Sequence, residues 1–153
     1  MAITLQVPNR LLLELGKGGI NFNSNIHKLI LLAPSFVFNP ASHGTYAEVI
    51  SGTNYELPTA NGYTVGGFTL SPIEVGGSYW YQDNTNNKGT LGWSNLTVTA
   101  TGELVFAHAV VYDDTHANDV VVGYIGLNET VTLPSGELFI FEELGFDLTM
   151  AAS

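Results

Sequence analysis

Short segments of apolar or alternating residues, separated by turn-forming residues, recur along the whole chain and limit its possible folds more than any other feature. The segments have the length and periodicity of β-strands. They span residues 26–33, 46–50, 64–70, 91–100, 104–112, 120–127, 129–133, 138–141 and 145–150. Turn signals such as Asn39-Pro40, Asn61-Gly62 and Gly76-Gly77 lie between them. Since no long amphipathic helical pattern and no internal repeat accompanies them, we predict an all-β chain folded as an antiparallel, jelly-roll-like β-sandwich.

The N-terminal segment is predicted to differ from this β-rich body. Residues 3–7 alternate apolar and polar side chains, which indicates a strand in a terminal arm. Asn9 can then cap one short helix, which three glycines within residues 16–19 would end after about two turns. Because 153 residues suit one compact core, we expect an arm at residues 1–8 and a single β-sandwich domain at residues 9–153.

The charge balance argues against several classes of partner. The chain has 4 Lys and Arg residues against 14 Asp and Glu residues, a formal net charge of −10. Nucleic-acid-binding proteins gain affinity by neutralising phosphates with basic side chains, and docking on an anionic membrane needs the same charges. We therefore predict no direct nucleic-acid binding and no membrane attachment. Because the sequence contains no cysteine, disulfides and thiol chemistry are excluded as well.

Motifs typical of catalysis or cofactor binding are not recognisable in the sequence. The four histidines are scattered, without the i, i+4 spacing of a helical zinc site. No Gly-x-Ser-x-Gly sequence marks a nucleophile. The glycine-rich segment at residues 62–67 lacks the lysine of a phosphate-binding loop. We predict a protein that is not an enzyme and that uses no cofactor or metal.

Residues 113–119 form the most chemically suggestive loop. Three aspartates and one asparagine lie within this stretch, and oxygen ligands of this kind bind calcium. Their spacing differs from that of a calcium-binding helix–loop–helix, and Asp and Asn also stabilise turns by bonding to nearby backbone. A structural turn between two strands is the favoured interpretation. A cation bound in the Asp113–Asp119 loop is the alternative.

Tyr79, Trp80 and Tyr81 begin the one stretch of the sequence that resembles a recognition surface. An Asn-rich loop at residues 83–88 follows them, and Trp93 comes shortly after. Alternate aromatic side chains of a strand can fill the core or anchor a subunit contact. Together with the neighbouring amides, they can also bind sugars. All three roles remain open at this level.

A series of short motifs occurs in a characteristic order between residues 7 and 127. It comprises Val7-Pro8-Asn9, Leu15, Ile20-Asn21-Phe22, Lys28-Leu29-Ile30-Leu31, Tyr46-Ala47-Glu48-Val49, the segment 62–70, Trp93, Leu96-Thr97, the segment 109–114 and the segment 122–125. In this order the motifs resemble a family of small structural proteins of tailed-bacteriophage virions. The resemblance implies a virion component, foremost a head decoration (cement) protein on the outside of the capsid, and it brings no catalytic residues.

The resemblance and the composition together favour a function that depends on contact area. We expect the chain to be made in the host cytoplasm and to reside on the outer capsid surface of the virion. Its expected partners are the major capsid protein and further copies of itself, as a homo-oligomer (trimer or dimer). The alternative function is a receptor- or glycan-binding module of a phage tail fibre or baseplate.

The predicted contact residues form two groups. Ile3, Leu5 and Val7 belong to the arm, whose backbone we expect to be unpaired and free to add a strand to a neighbour's sheet. The aromatic residues at positions 79–81 are weaker candidates for the same role.

Overall fold

The computed structural model describes residues 4–149 of the chain. These residues form mostly strands, together with two helices. In chain order the elements are β1 (Thr4–Gln6), α1 (Asn9–Lys17), β2 (His27–Leu32), α2 (Tyr46–Ile50), β3 (Phe68–Thr69), β4 (Trp80–Asp83), β5 (Lys88–Gly92), β6 (Leu96–Thr99), β7 (Leu104–Asp113), β8 (Val121–Leu133), β9 (Leu138–Phe141) and β10 (Gly145–Thr149).

A five-stranded antiparallel sheet forms the centre of the molecule, in the order β1-β8-β7-β2-β3. Side chains alternate across this sheet, and both of its faces are covered. In β2, Leu29 and Leu31 belong to one apolar cluster, whereas Ile30 and Leu32 belong to another. Because both faces are buried, β2 is a nearly continuous apolar run in the sequence and does not alternate with polar residues.

A second layer of strands lies on one face of the central sheet. It contains a three-stranded sheet, β10-β5-β4, and a two-stranded sheet, β6-β9. The two sheets continue each other along the chain. The pair Gly92–Gly145 ends one sheet and the pair Leu96–Phe141 begins the other. Three residues, 93–95 on one strand and 142–144 on the other, lie between the two pairs. Residues of β5, β6, β9 and β10 share the first apolar cluster with β2. The predicted all-β, antiparallel, sandwich-like fold is therefore confirmed.

Residues 33–57 cover the opposite face of the central sheet and include α2. Phe36 and Val49 are buried there in the second apolar cluster. The prediction of a strand at residues 46–50 is wrong, because α2 occupies them. A capping box stabilises the helix: Glu48 N donates to Thr45 Oγ1 at 3.3 Å, and Thr45 N donates to Glu48 Oε2 at 2.9 Å.

The first helix is confirmed, but its predicted N-cap is wrong. Pro8 occupies the N-cap position without a side-chain bond, and Asn9 is the first helical residue. The Pro8 carbonyl accepts the Leu11 N–H at 3.2 Å, which starts the helix through the backbone alone. The predicted end is confirmed at Gly18, which takes a left-handed conformation with a φ of 72°.

Several predicted strand boundaries also differ from the observed ones. Of residues 64–70, only Phe68–Thr69 form a strand, because the Gly67 N–H bonds to the Thr64 carbonyl at 2.9 Å in a turn. Residues 91–100 are divided between β5 and β6. Residues 120–127 and 129–133, predicted as two strands, lie in the single strand β8. The other predicted strands are found within two residues of their expected limits.

Candidate interaction groove

The edge strands of the two layers leave a groove along one side of the sandwich. β1 is an edge of the central sheet, and β9 and β10 are edges of the second layer. A cavity of about 510 Å³ lies between these edges. We call it the seam groove, and its lining consists of residues 6–7, Trp93, Val111, residues of β8 between Val122 and Leu127, and residues 139–147.

Apolar and aromatic side chains dominate the seam groove. Three phenylalanines of the segment 139–147 line it from the second layer, and Ile125 lines it from β8. Val7 and Ile140 line it while leaving 42% and 46% of their surface exposed. Leu138 and Leu148 on β9 and β10 are exposed as well. Exposed apolar side chains along an apolar groove, such as Val7 and Ile140, are typical of an interaction surface.

Trp93 contributes a buried indole to the lining of the seam groove. Its side chain is 3% exposed, and its Nε1 is buried without a hydrogen-bond partner among the described residues. The residue is held firmly, since its backbone N–H donates to the Leu144 carbonyl at 2.9 Å. Its ring meets the His27 ring edge-on, with centroids 5.3 Å apart, and the His27 ring nitrogens likewise have no partner among the described residues.

Carboxylates give the seam groove a negative charge. Glu142, Glu143 and Asp147 line it and are exposed. Asp147 accepts hydrogen bonds from Lys88 Nζ at 2.7 Å and from Thr90 Oγ1. Although burial opposes the change, these two bonds lower the pKa of Asp147 below its ordinary value. Within residues 4–149, Glu142 and Glu143 form no ion pair, so their charges are uncompensated.

The predicted arm residues lie beside the seam groove as far as the structure describes them. Ile3 lies outside the described residues. Leu5 belongs to β1 and pairs with Ile125 of β8. The expectation of an unpaired arm backbone is therefore wrong for the edge of β1 that faces β8. Val7 is exposed and lines the groove. The other side of β1 has no strand partner in the part of the chain that the structure describes, which leaves one free edge.

Tyr79, Trp80 and Tyr81 lie at the opposite edge of the second layer, on and before β4. All three side chains are half-buried. The Trp80 ring lies 5.0 Å from the ring of the buried Phe22, and Tyr79 and Trp80 pack against the first apolar cluster. Their surroundings therefore favour a core role for these two residues. Trp93 is buried and does not share an exposed aromatic surface with them.

The Asp113–Asp119 loop is built as a turn around one buried carboxylate. The Asp113 carboxylate accepts Asn25 Nδ2 at 2.6 Å and the backbone N–H groups of Thr115 and His116 at 3.0 Å each. These bonds use the oxygens that a cation would need. Across residues 4–149, no group of three or more His, Cys, Asp or Glu side chains could hold a metal ion.

Two histidine contacts, one buried and one half-buried, connect this loop to the rest of the molecule. His27 is 1% exposed, its ring nitrogens have no hydrogen-bond partner among the described residues, and its Nε2 lies 4.0 Å from Asp113 Oδ2. Burial lowers the pKa of His27, and the nearby Asp113 charge only partly opposes this. His116 Nε2 lies 3.5 Å from Glu14 Oε2, and Arg10 Nε donates to Glu14 Oε1 at 2.8 Å. The contact between His116 and Glu14 joins α1 to the loop.

The sequence reasoning missed the groove residues of β9, and it named Trp93 without predicting its burial in the groove lining. One signal for β9 was present: Leu138, Phe139, Ile140 and Phe141 form a continuous apolar run within a short strand. A strand with one face in water alternates apolar and polar residues. A continuous run at a sheet edge therefore indicates that its outer face is covered by something else. No comparable signal marks the unpaired indole of Trp93, which depends on the tertiary packing.

Comparison with known proteins finds no family model, curated protein or solved structure that matches the chain. Among residues 4–149, no helix is long and apolar enough to cross a lipid bilayer.

Proposed function

We propose that this chain is a structural protein of a bacteriophage virion, a head decoration (cement) protein that stabilises the capsid by self-association and by contact with the major capsid protein. The motif order described above suggests the family. The seam groove is the observation that supports a function through contact.

The seam groove supports this proposal because it joins an apolar surface to strand edges that have no strand partner among residues 4–149. Val7, Leu138, Ile140 and Leu148 are large apolar residues exposed on or beside the edge strands. An isolated soluble protein usually protects such edges with charges, prolines or covering loops. Exposed apolar residues beside strands that have one edge unpaired among residues 4–149 fit a protein that buries this side on assembly.

The distribution of charge also fits a protein partner. Three of the four basic side chains are engaged in ion pairs within the chain, with N–O distances of 2.8 Å for Arg10–Glu14, 3.0 Å for Lys28–Asp114 and 2.7 Å for Lys88–Asp147. The remaining surface charge is mainly negative. Such a surface is repelled by nucleic acid and favours a partner surface that is apolar or basic.

The test is an add-back experiment with particles assembled without this chain. Purified protein is mixed with these particles, and the bound fraction is measured after the particles are separated by centrifugation. We expect saturable binding and a higher temperature of capsid disruption. Absence of binding by the folded full-length protein would contradict the proposal.

A matched pair of substitutions tests whether the groove side makes the contact. Val7→Asp places a charge in the seam groove, whereas Val65→Asp places one at a similarly exposed valine outside it, since Val65 is 50% exposed and does not line the groove. We expect binding to be lost only with Val7→Asp.

Deletion of residues 1–7 should also abolish binding while circular dichroism shows a folded β protein. If the Val7→Asp variant and the deletion variant both bind particles at normal occupancy, the arm is not the contact.

A further inference from the structure

We infer that the seam groove receives an extended segment of a different virion protein, in which apolar residues alternate and Lys or Arg residues flank them. This inference rests on the proposed function, because it names the kind of partner segment that the contact involves. The proposed occupant is a strand from a different protein, and neither a second copy of this chain nor a small apolar molecule.

The geometry of the groove suits a strand. β1 on one side and β9 and β10 on the other each have one edge without a strand partner in residues 4–149. An added strand can bond its backbone to such an edge and direct every second side chain into the groove. The phenylalanines at positions 139, 141 and 146 provide an apolar surface for those side chains.

Trp93 forms part of the apolar wall that the segment contacts. Its ring is buried in the lining of the groove, at 3% exposure. Its Nε1 is buried as well, so the indole offers this segment ring surface and no hydrogen bond.

Charge complementarity identifies the flanks of the segment and argues against a second copy. Glu142 and Glu143 line the groove without an ion pair among the described residues, so they favour a basic neighbour. Each copy of this chain carries a net charge of −10. Its lysines at positions 28 and 88 are already paired with aspartates of the same chain. Another copy therefore has few free basic groups to offer, and a segment of a different protein fits better.

A cysteine footprint on assembled particles tests the inference. The chain has no cysteine, so Ile140→Cys and Val37→Cys each introduce a single reactive thiol. The first lies at the exposed rim of the groove on β9, and the second lies at a residue that is 78% exposed in the segment 33–57. Both variants react with a maleimide dye in free solution. On the particle, we expect Ile140→Cys to be protected and Val37→Cys to remain reactive. Binding to the particle with Ile140→Cys still reactive would overturn the inference while leaving the proposed function standing.

The identity of the occupant is read by cross-linking. Ile140→Cys is labelled with benzophenone maleimide, bound to particles and irradiated, and the linked peptides are identified by mass spectrometry. We expect peptides of another virion protein with alternating apolar residues and a flanking Lys or Arg. Cross-links only to a second copy of this chain, or none to any protein, would overturn the inference. Failure of the full-length protein to bind particles at all would instead count against the proposed function.

A pair of charge variants tests the basic flank. Glu142→Lys with Glu143→Lys reverses the groove charge, and Glu74→Lys with Glu103→Lys makes the same net change at exposed residues outside the groove. We expect the first pair to weaken particle binding by about tenfold and the second pair to have a much smaller effect. Equal effects of the two pairs would show that the flank is not basic.

Discussion

At the scale of single residues, Glu56 organises much of the central packing. This carboxylate is 6% exposed and accepts hydrogen bonds from Tyr46 Oη at 2.6 Å, from Tyr63 Oη at 2.7 Å and from Gly66 N at 2.7 Å. A buried carboxylate without such donors would be strongly destabilising. Burial, reinforced by the bonds to Glu56, raises the pKa values of Tyr46 and Tyr63 above those of ordinary phenols. Both hydroxyls therefore remain protonated donors at all ordinary pH values.

Replacing Tyr63 by Phe tests this network. The substitution removes one donor to Glu56 and the oxygen that accepts the Leu31 N–H at 3.3 Å. We expect the free energy of unfolding to fall by about 2 kcal/mol, the usual effect of losing a hydrogen bond to a charged group. Tyr55→Phe is the control, because Tyr55 is half-buried and its hydroxyl is not bonded to Glu56. Urea denaturation measures the free energy of unfolding of both variants. Equal losses of stability in Tyr63→Phe and Tyr55→Phe would show that the Glu56 network contributes little.

His27 makes the stability of the fold depend on pH. Its ring is buried between the rings of Phe22 and Trp93, at centroid distances of 5.9 and 5.3 Å, and Asp113 is the charged group that faces it. Burial lowers the pKa of His27 in the folded protein. The unfolded chain binds a proton at about pH 6.5, whereas the folded chain does so only at lower pH. Stability is therefore retained above about pH 6.5 and decreases as the pH falls towards the folded pKa.

We expect His27→Phe to reduce this pH dependence. The free energy of unfolding is measured by urea denaturation between about pH 7.5 and pH 5 for both proteins. The wild type should lose stability as the pH falls, and the variant should lose less, because phenylalanine cannot take up the proton in the unfolded state. A residual slope is expected from His43, whose pKa burial also lowers. Identical slopes in the two proteins would contradict this role of His27.

At the scale of elements, the pairing of β2 with β3 requires a close approach of two backbones. Gly67 precedes β3 and has a φ of 85°. A Cβ atom at this position would overlap the Leu29 carbonyl of β2. Gly66 has a similar φ of 95°, but a Cβ there would meet only the Tyr112 hydroxyl, at 3.9 Å. Substitutions at these two glycines can therefore distinguish the cost of a positive φ, which both positions share, from the cost of steric overlap, which only Gly67 has.

Alanine substitutions at these glycines should therefore have different effects. Gly66→Ala is expected to lower the free energy of unfolding by about 1 kcal/mol, because alanine disfavours a positive φ. Gly67→Ala has the same conformational cost and also forces β3 away from β2, which adds about 2 kcal/mol. Thermal or urea denaturation of both variants measures the difference. Equal destabilisation would mean that the β2–β3 contact is easily displaced.

The elements differ in how far the sequence predicts them. β2 and β7 are long apolar runs buried on both faces, so their pattern identifies them directly. α2 has five residues, which is too short for a helical period to appear, although Thr45 and Glu48 carry the capping-box signal. The seam groove could not be predicted, since it depends on which strands become sheet edges. Val7 was predicted as a contact residue and lies in the groove, whereas the part played by Trp93 comes only from the tertiary structure.

At the scale of the whole molecule, both faces of the central sheet are covered, and the seam groove is open. The second strand layer covers one face of the central sheet, and the segment 33–57 with α2 covers the other. The seam groove remains between β1 and the pair β9 and β10. An open apolar groove on an acidic molecule suits the proposed role of a subunit that buries this surface on assembly.

The most direct test of the proposed function is a cryo-EM reconstruction of the native particle, at a resolution at which side chains can be traced. We predict that the chain lies on the outer capsid surface in symmetric clusters that bridge capsomers, with the seam groove turned towards a neighbouring protein. A position in the tail, or absence from the particle, would contradict the decoration role. In that case, binding to receptors or glycans becomes the function to test.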